Sequence, residues 1–94
     1  MLYVLTGMLK PGVEAQLVAH ADAFNEHLSQ PFQRILIAGA LRGRDNERKG
    51  FMLILEAESY ERAEAFLQQS PLFRADLYER VDVSAYAVQL GRLE

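Results

Sequence analysis

The alternation of apolar and polar positions divides the chain into six elements. Leu2, Tyr3, Val4 and Leu5 open an apolar run that reaches Leu9 and meets Lys10-Pro11-Gly12, which predicts a strand over 2–9 closed by a turn. Between Val13 and Leu28 the apolar positions Val13, Leu17, Ala21, Phe24 and Leu28 recur every three or four residues, one face of an α-helix. That helix stops near Ser29-Gln30-Pro31, because proline disfavours helical geometry in the residue before it. Arg34–Leu41 and Gly50–Ala57 are rich in β-formers and predict two strands. The polar, glycine-bearing segment between them, Arg42 to Lys49, suits a hairpin connection, so these strands are antiparallel neighbours. Ser59 is placed to cap a second helix, with Glu61 favourable to its dipole and Ala63, Phe66 and Leu67 on its apolar face; Ser70-Pro71 ends it. After a turn-like Leu72-Phe73-Arg74, the segment Leu77–Leu90 alternates. That predicts a long last strand with Tyr78 and Tyr86 pointing the same way.

The order β, α, β, β, α, β with right-handed crossovers puts both helices on one face of a four-stranded antiparallel sheet, the ferredoxin-like α+β arrangement. The other face is then bare, yet Phe51-Met52-Leu53-Ile54-Leu55 and Ile35-Leu36-Ile37 are apolar on both sides. A single domain over 1–94 leaves no third layer to cover that face, so the expected cover is the sheet of a second copy, making a homodimer with a barrel-like interior.

Composition narrows the partners. Ten Lys and Arg against thirteen Asp and Glu, with the basic residues scattered, argue against nucleic acid. With no cysteine there is no disulfide, thiolate ligand or Cys nucleophile. No apolar run approaches the roughly 18 residues of a spanning helix and the first residues do not read as a signal peptide, so a cytoplasmic protein is expected, away from membranes.

His20 is the first candidate for chemistry. Helical geometry sets it beside Val13, Leu17 and Phe24 rather than with Asp22 and Glu26, and imidazole suits acid–base work near neutrality. His27 lies further along the helix at nearly the same angle. Each has a packed, hydrogen-bonded core histidine as its plainer reading. The two are seven residues apart, roughly 10 Å along a helix, too far to share a metal, and no metal or cofactor motif is present. The basic hairpin Arg42, Arg44, Arg48 and Lys49 reads as either an anion-attracting patch or a solvated tip, and Tyr78 and Tyr86 of the last strand as either pocket lining or packing that fills the dimer barrel, with packing the better reading.

Taken together, Tyr3-Val4, His20 with Phe24, Ala38-Gly39, Leu53-Ile54-Leu55-Glu56-Ala57-Glu58-Ser59, Ala63-Glu64-Ala65-Phe66-Leu67, Ser70-Pro71 and Leu77-Tyr78-Glu79 resemble the YciI-like proteins, small bacterial dimeric α+β barrel domains. The resemblance implies a cleft beside the first helix holding a histidine–aspartate dyad. The histidine carries over to His20, the aspartate's place before the proline is taken by Ser70, and the family's Ala-Gly-Pro is Ala38-Gly39-Ala40. It thus implies a catalytic His20 within direct or one-water reach of Ser70, with Ser70 and Gly39 at the substrate. A serine can bond an imidazole but cannot supply the charge that steadies an imidazolium. Two functions are open: a small-molecule enzyme of lyase or isomerase type with His20 as general acid or base, or a non-catalytic ligand-binding or accessory protein on the same scaffold.

Overall fold

The computed structural model describes residues 1–31 and 33–92; the ends of the predicted domain, 93 and 94, lie outside the described residues. The elements are β1 (Leu2–Leu9), α1 (Glu14–Leu28), β2 (Arg34–Arg42), β3 (Arg48–Glu56), α2 (Tyr60–Gln68), α3 (Pro71–Arg74) and β4 (Tyr78–Tyr86). One antiparallel sheet runs β2-β3-β1-β4, so the chain has the ferredoxin-like βαββαβ fold.

β1 alternates as a half-buried strand must: Tyr3 and Leu5 are buried beneath α2, while Leu2, Val4 and Thr6 face the other way. Across the sheet Leu5 pairs with Leu53 on one side and Val83 on the other, and Tyr3 pairs with Leu55. Ala63, Phe66 and Leu67 of α2 close over these residues. Burying a Leu or Phe side chain contributes about 1.5–3 kcal/mol, so this cluster carries much of the fold. Ser59 caps α2 by accepting from the Arg62 N–H, as expected.

A second cluster joins Val13 and Leu17 of α1 to Leu72 of α3 and Leu77, with Phe24, Phe51 and Tyr78 packed against it. The segment expected to be a turn is therefore a one-turn helix, because Ser70 accepts from the Leu72 N–H and Pro71 occupies the first turn, where its missing N–H costs nothing. α1 packs more against α3 than against any strand. Ala21 is exposed and Phe24 and Leu28 only half-buried, so the apolar face of α1 stands partly off the sheet. A cleft opens beneath it over β2 and β3.

Three register slips occur in the sheet among the described residues, two of them in the hairpin that floors that cleft. The β2–β3 pairing steps from Ile35↔Leu55 to Ile37↔Ile54, the hairpin end from Leu41↔Gly50 to Arg42↔Arg48, and the β1–β4 pairing from Met8↔Arg80 to Leu9↔Tyr78. Leu36, Lys49 and Glu79 are thus bulge residues, and each reverses the facing of the residues beyond it. β4 is also shorter than expected, ending at Tyr86. The Glu79 bulge separates two side chains expected together: Tyr78 packs into both core clusters, whereas Tyr86 is 38% exposed.

Candidate active site

Histidine 27 reaches inward from the last turn of α1. It is 5% exposed, stacks on the Phe66 ring with centroids 4.2 Å apart, and its Nε2 lies 3.0 Å from the Phe66 carbonyl. A carbonyl only accepts, so Nε2 carries the proton and Nδ1 is left with the lone pair in the neutral ring. Burial pulls His27 below the usual histidine value, and the bond to Phe66 opposes this in part.

Ser70 and Tyr78 share a small inner cavity with His27, together with Thr6, Gly7, Phe24 and Phe66. Its volume is about 20 Å³, enough for roughly one water. The Ser70 hydroxyl accepts from Leu72 and keeps its own proton to donate. Burial pushes the Tyr78 phenol up to about 12, with the Ser70 hydroxyl working against that shift. No carboxylate lines this cavity among the described residues, so the Phe66 carbonyl favours a positively charged ring there without an anion to pair with it.

Outside it lies the cleft of about 370 Å³ between α1 and the β2–β3 hairpin, of a size to hold a small molecule. Leu17, Ala21, Phe24 and Asn25 form the α1 wall, and Ala38, Gly39, Ala40, Arg48 and Phe51 form the floor. Phe24 and Phe51, with ring centroids 4.9 Å apart and planes tilted at 51°, line both spaces, as do Met52 and Leu53.

The sequence candidates separate. His20 is half-buried on α1 and borders neither space. Ser70, expected beside His20, is buried beside His27 instead. Gly39 does line the cleft. After the Leu36 bulge, however, it pairs with Met52 on the far face, and a Cβ added there would meet nothing. Tyr78, read from the sequence as packing rather than pocket lining and paired in facing with Tyr86, lines the inner cavity without Tyr86. No three His, Cys, Asp or Glu side chains gather as metal ligands among the described residues, and no helix there is long and apolar enough to cross a membrane.

A family model for the YCII-related domain matches residues 1–87. The chain belongs to that family. A comparison with curated proteins finds no match. Among solved structures, the chain is similar to 5-chloro-2-hydroxyhydroquinone dehydrochlorinase (TftG) from Burkholderia phenoliruptrix in complex with 2,5-dihydroxybenzoquinone. The identity is 24% over 93% of this chain and 94% of that one, with a TM-score of 0.84. It is also similar to SnoaB, a cofactor-independent oxygenase from Streptomyces nogalater, at 17% identity over 96% and 93% of the two chains and a TM-score of 0.57. Rv0793 from Mycobacterium tuberculosis matches at 18% identity, 96% and 97% coverage and a TM-score of 0.55. These likenesses establish the fold, shared with dimeric α+β barrel proteins.

Proposed function

We infer that this YCII-related chain is a small-molecule enzyme of lyase or isomerase type, working in the cleft under α1, and that His27 is its general base. One observation carries the reading: a buried, neutral imidazole with Nδ1 unprotonated sits beside Ser70 and Tyr78 in a space that shares Phe24, Phe51, Met52 and Leu53 with the lining of a ligand-sized cleft. A turn of Phe24 about its side-chain bonds joins the two spaces. His27 then takes a proton from a carbon next to a carbonyl, directly or through one water. Tyr78, still protonated at neutral pH, donates to the enolate oxygen. The imidazolium gives its proton back to a different carbon in an isomerisation, or to the departing group in an elimination. Fold likeness to a dehydrochlorinase agrees with chemistry of this kind and sets no substrate.

The residue test uses solvent-deuterium exchange into a panel of small keto acids and enolisable ketones, followed by NMR. Exchange should vanish in His27→Gln and persist in His20→Gln, provided both variants keep the wild-type circular dichroism. If only His20→Gln loses exchange, the base is the histidine that the family resemblance favoured. The lack of a carboxylate around His27 favours a second reading, a ligand-binding protein without turnover; it gains if panel members bind and none exchanges.

The working unit in this proposal is a cytoplasmic homodimer. Val4, Met52 and Ile37 face away from the helices, Val4 and Met52 half-buried and Ile37 48% exposed, while Ile54 on the same side is already buried within the single chain, so the part of this face around Ile37 presents an apolar surface suited to a second copy.

A further inference from the structure

The β2–β3 hairpin sets two arginines, Arg42 and Arg48, directly opposite each other across the strands. Like charges in such a pair destabilise a sheet. Arg42 is tied to the Asn46 carbonyl at 3.0 Å. Glu47, the nearest carboxylate in sequence, is turned inward, where it accepts from the Asp45 N–H. No carboxylate among the described residues reaches ion-pair distance of Arg48. The Lys49 bulge instead swings Arg48 to the helix side, where its guanidinium stands 5.6 Å from the centre of the Phe51 ring and lines the cleft.

Arg48 is thus a cation without an anion, beside two aromatic rings, at the edge of a ligand-sized space. The floor opposite α1 is flat for a matching reason. The Leu36 bulge turns Ala38 and Ala40 toward the helices, paired with Leu53 and Phe51, and sends Ile37 to the far face. Without that slip Ile37 would fill the space. A slot bounded by the Phe24 ring on the α1 side, with the Phe51 ring and two alanine methyl groups on its floor, accepts a planar body and rejects a branched one.

We propose that the cleft binds a planar, conjugated organic anion, with Arg48 holding the negative end and Phe24 and Phe51 packing against its plane. This rests on the cleft being the functional site and names what it selects. An Arg–carboxylate contact gives charge-assisted, two-pronged recognition, and the aromatic faces supply area that water does not compete for.

The test uses benzoate as probe, benzamide as its uncharged counterpart and acetate as the same charge without a ring, each titrated into the full chain and followed by NMR. Benzoate should shift the Ala38, Ala40 and Phe24 signals, with both controls binding at least several-fold more weakly. Arg48→Gln should weaken benzoate roughly tenfold or more, leave benzamide unchanged and keep or raise the Tm, because a like-charge pair is relieved. Ala40→Leu should block benzoate while the protein stays folded. Benzoate that shifts none of these signals at millimolar concentration, or that binds Arg48→Gln as well as wild type, overturns the proposal. Equal binding of acetate overturns the aromatic part. Benzoate binding needs no chemistry, so failure here leaves the deuterium-exchange test of His27 standing, and an inert His27 leaves this result standing.

Discussion

The ring of Tyr78 occupies the space where a side chain at Gly7 would begin: a Cβ built on Gly7 would run into the ring, with Cδ1 and Cζ both at 2.7 Å. Gly7 therefore holds open the place from which Tyr78 reaches Ser70, and the tyrosine's position depends on a strand it is not part of. Gly7→Ala should cost about 1–3 kcal/mol by overpacking, measured as a lower urea midpoint. The loss should shrink when Tyr78→Ala is added, so a double-mutant cycle with no coupling between the two sites would reject the contact.

Histidine 27 should titrate below 6.5 in an NMR pH series. Because its folded value is depressed, the unfolded chain takes up the proton first. Stability is then full above about 6.5 and falls as pH drops from there toward the lower folded value, levelling off beneath it. His27→Gln should flatten that part of the curve of unfolding free energy against pH. A wild-type curve with no slope below neutrality would show that burial is not depressing the ring.

Ser70→Asp should raise the His27 value, since a carboxylate in the shared cavity favours the protonated ring. The same change buries a charge, so it should also lower the Tm unless the imidazolium forms beside it. An unchanged His27 titration in a folded Ser70→Asp protein would mean that the two side chains do not sense each other.

Tyr78 predicts behaviour at the alkaline end. Its value is raised to about 12, so the unfolded chain ionises first, near 10, and stability declines between those two values. Tyr78→Phe should remove that share of the decline, seen as a shallower loss of Tm above pH 10. An identical alkaline profile in the variant would argue that the phenol is solvated.

The dimer is tested at Ile37, which is already 48% exposed in the single chain and so can carry a charge without disturbing the core. Ile37→Lys should sediment as a folded monomer at a micromolar concentration where the wild type sediments as a dimer. A wild-type monomer under those conditions would remove the second copy from the proposal.

The fold could be read from the chain because its elements obey simple periods. The helix over Val13–Leu28, the strand over 2–9 and the Ser59 cap stand where spacing puts them, and the glycine-bearing hairpin joins the strands it should. The site was less legible for a physical reason. Period-two reasoning assumes unbroken alternation, and the cleft and the inner cavity are built where alternation slips, at Leu36 and Lys49 for the cleft and at Glu79 for the cavity. Arg48 and the alanine pair face the cleft, and Tyr78 the inner cavity, each because of a bulge that no residue type announces. The two histidines pose a different problem. His20 and His27 lie within a few tens of degrees of each other on α1, and only the position of Phe66 on another helix shows which one has a partner.

The three bulges make the number of residues in a strand a variable of recognition in its own right. Removing Leu36 would turn Ile37 and Gly39 toward α1 and the alanines away, exchanging the floor of the cleft in one step with no substitution anywhere. Removing Lys49 would likewise turn the guanidinium of Arg48 to the opposite face. Both positions sit on the outer hairpin, and neither is itself a member of the cluster of Leu5, Leu55 and Phe66 at the centre of the fold. Single-codon insertions and deletions, ordinarily ruinous in a sheet, are here a route by which a relative of this chain acquires a different ligand while keeping the same core.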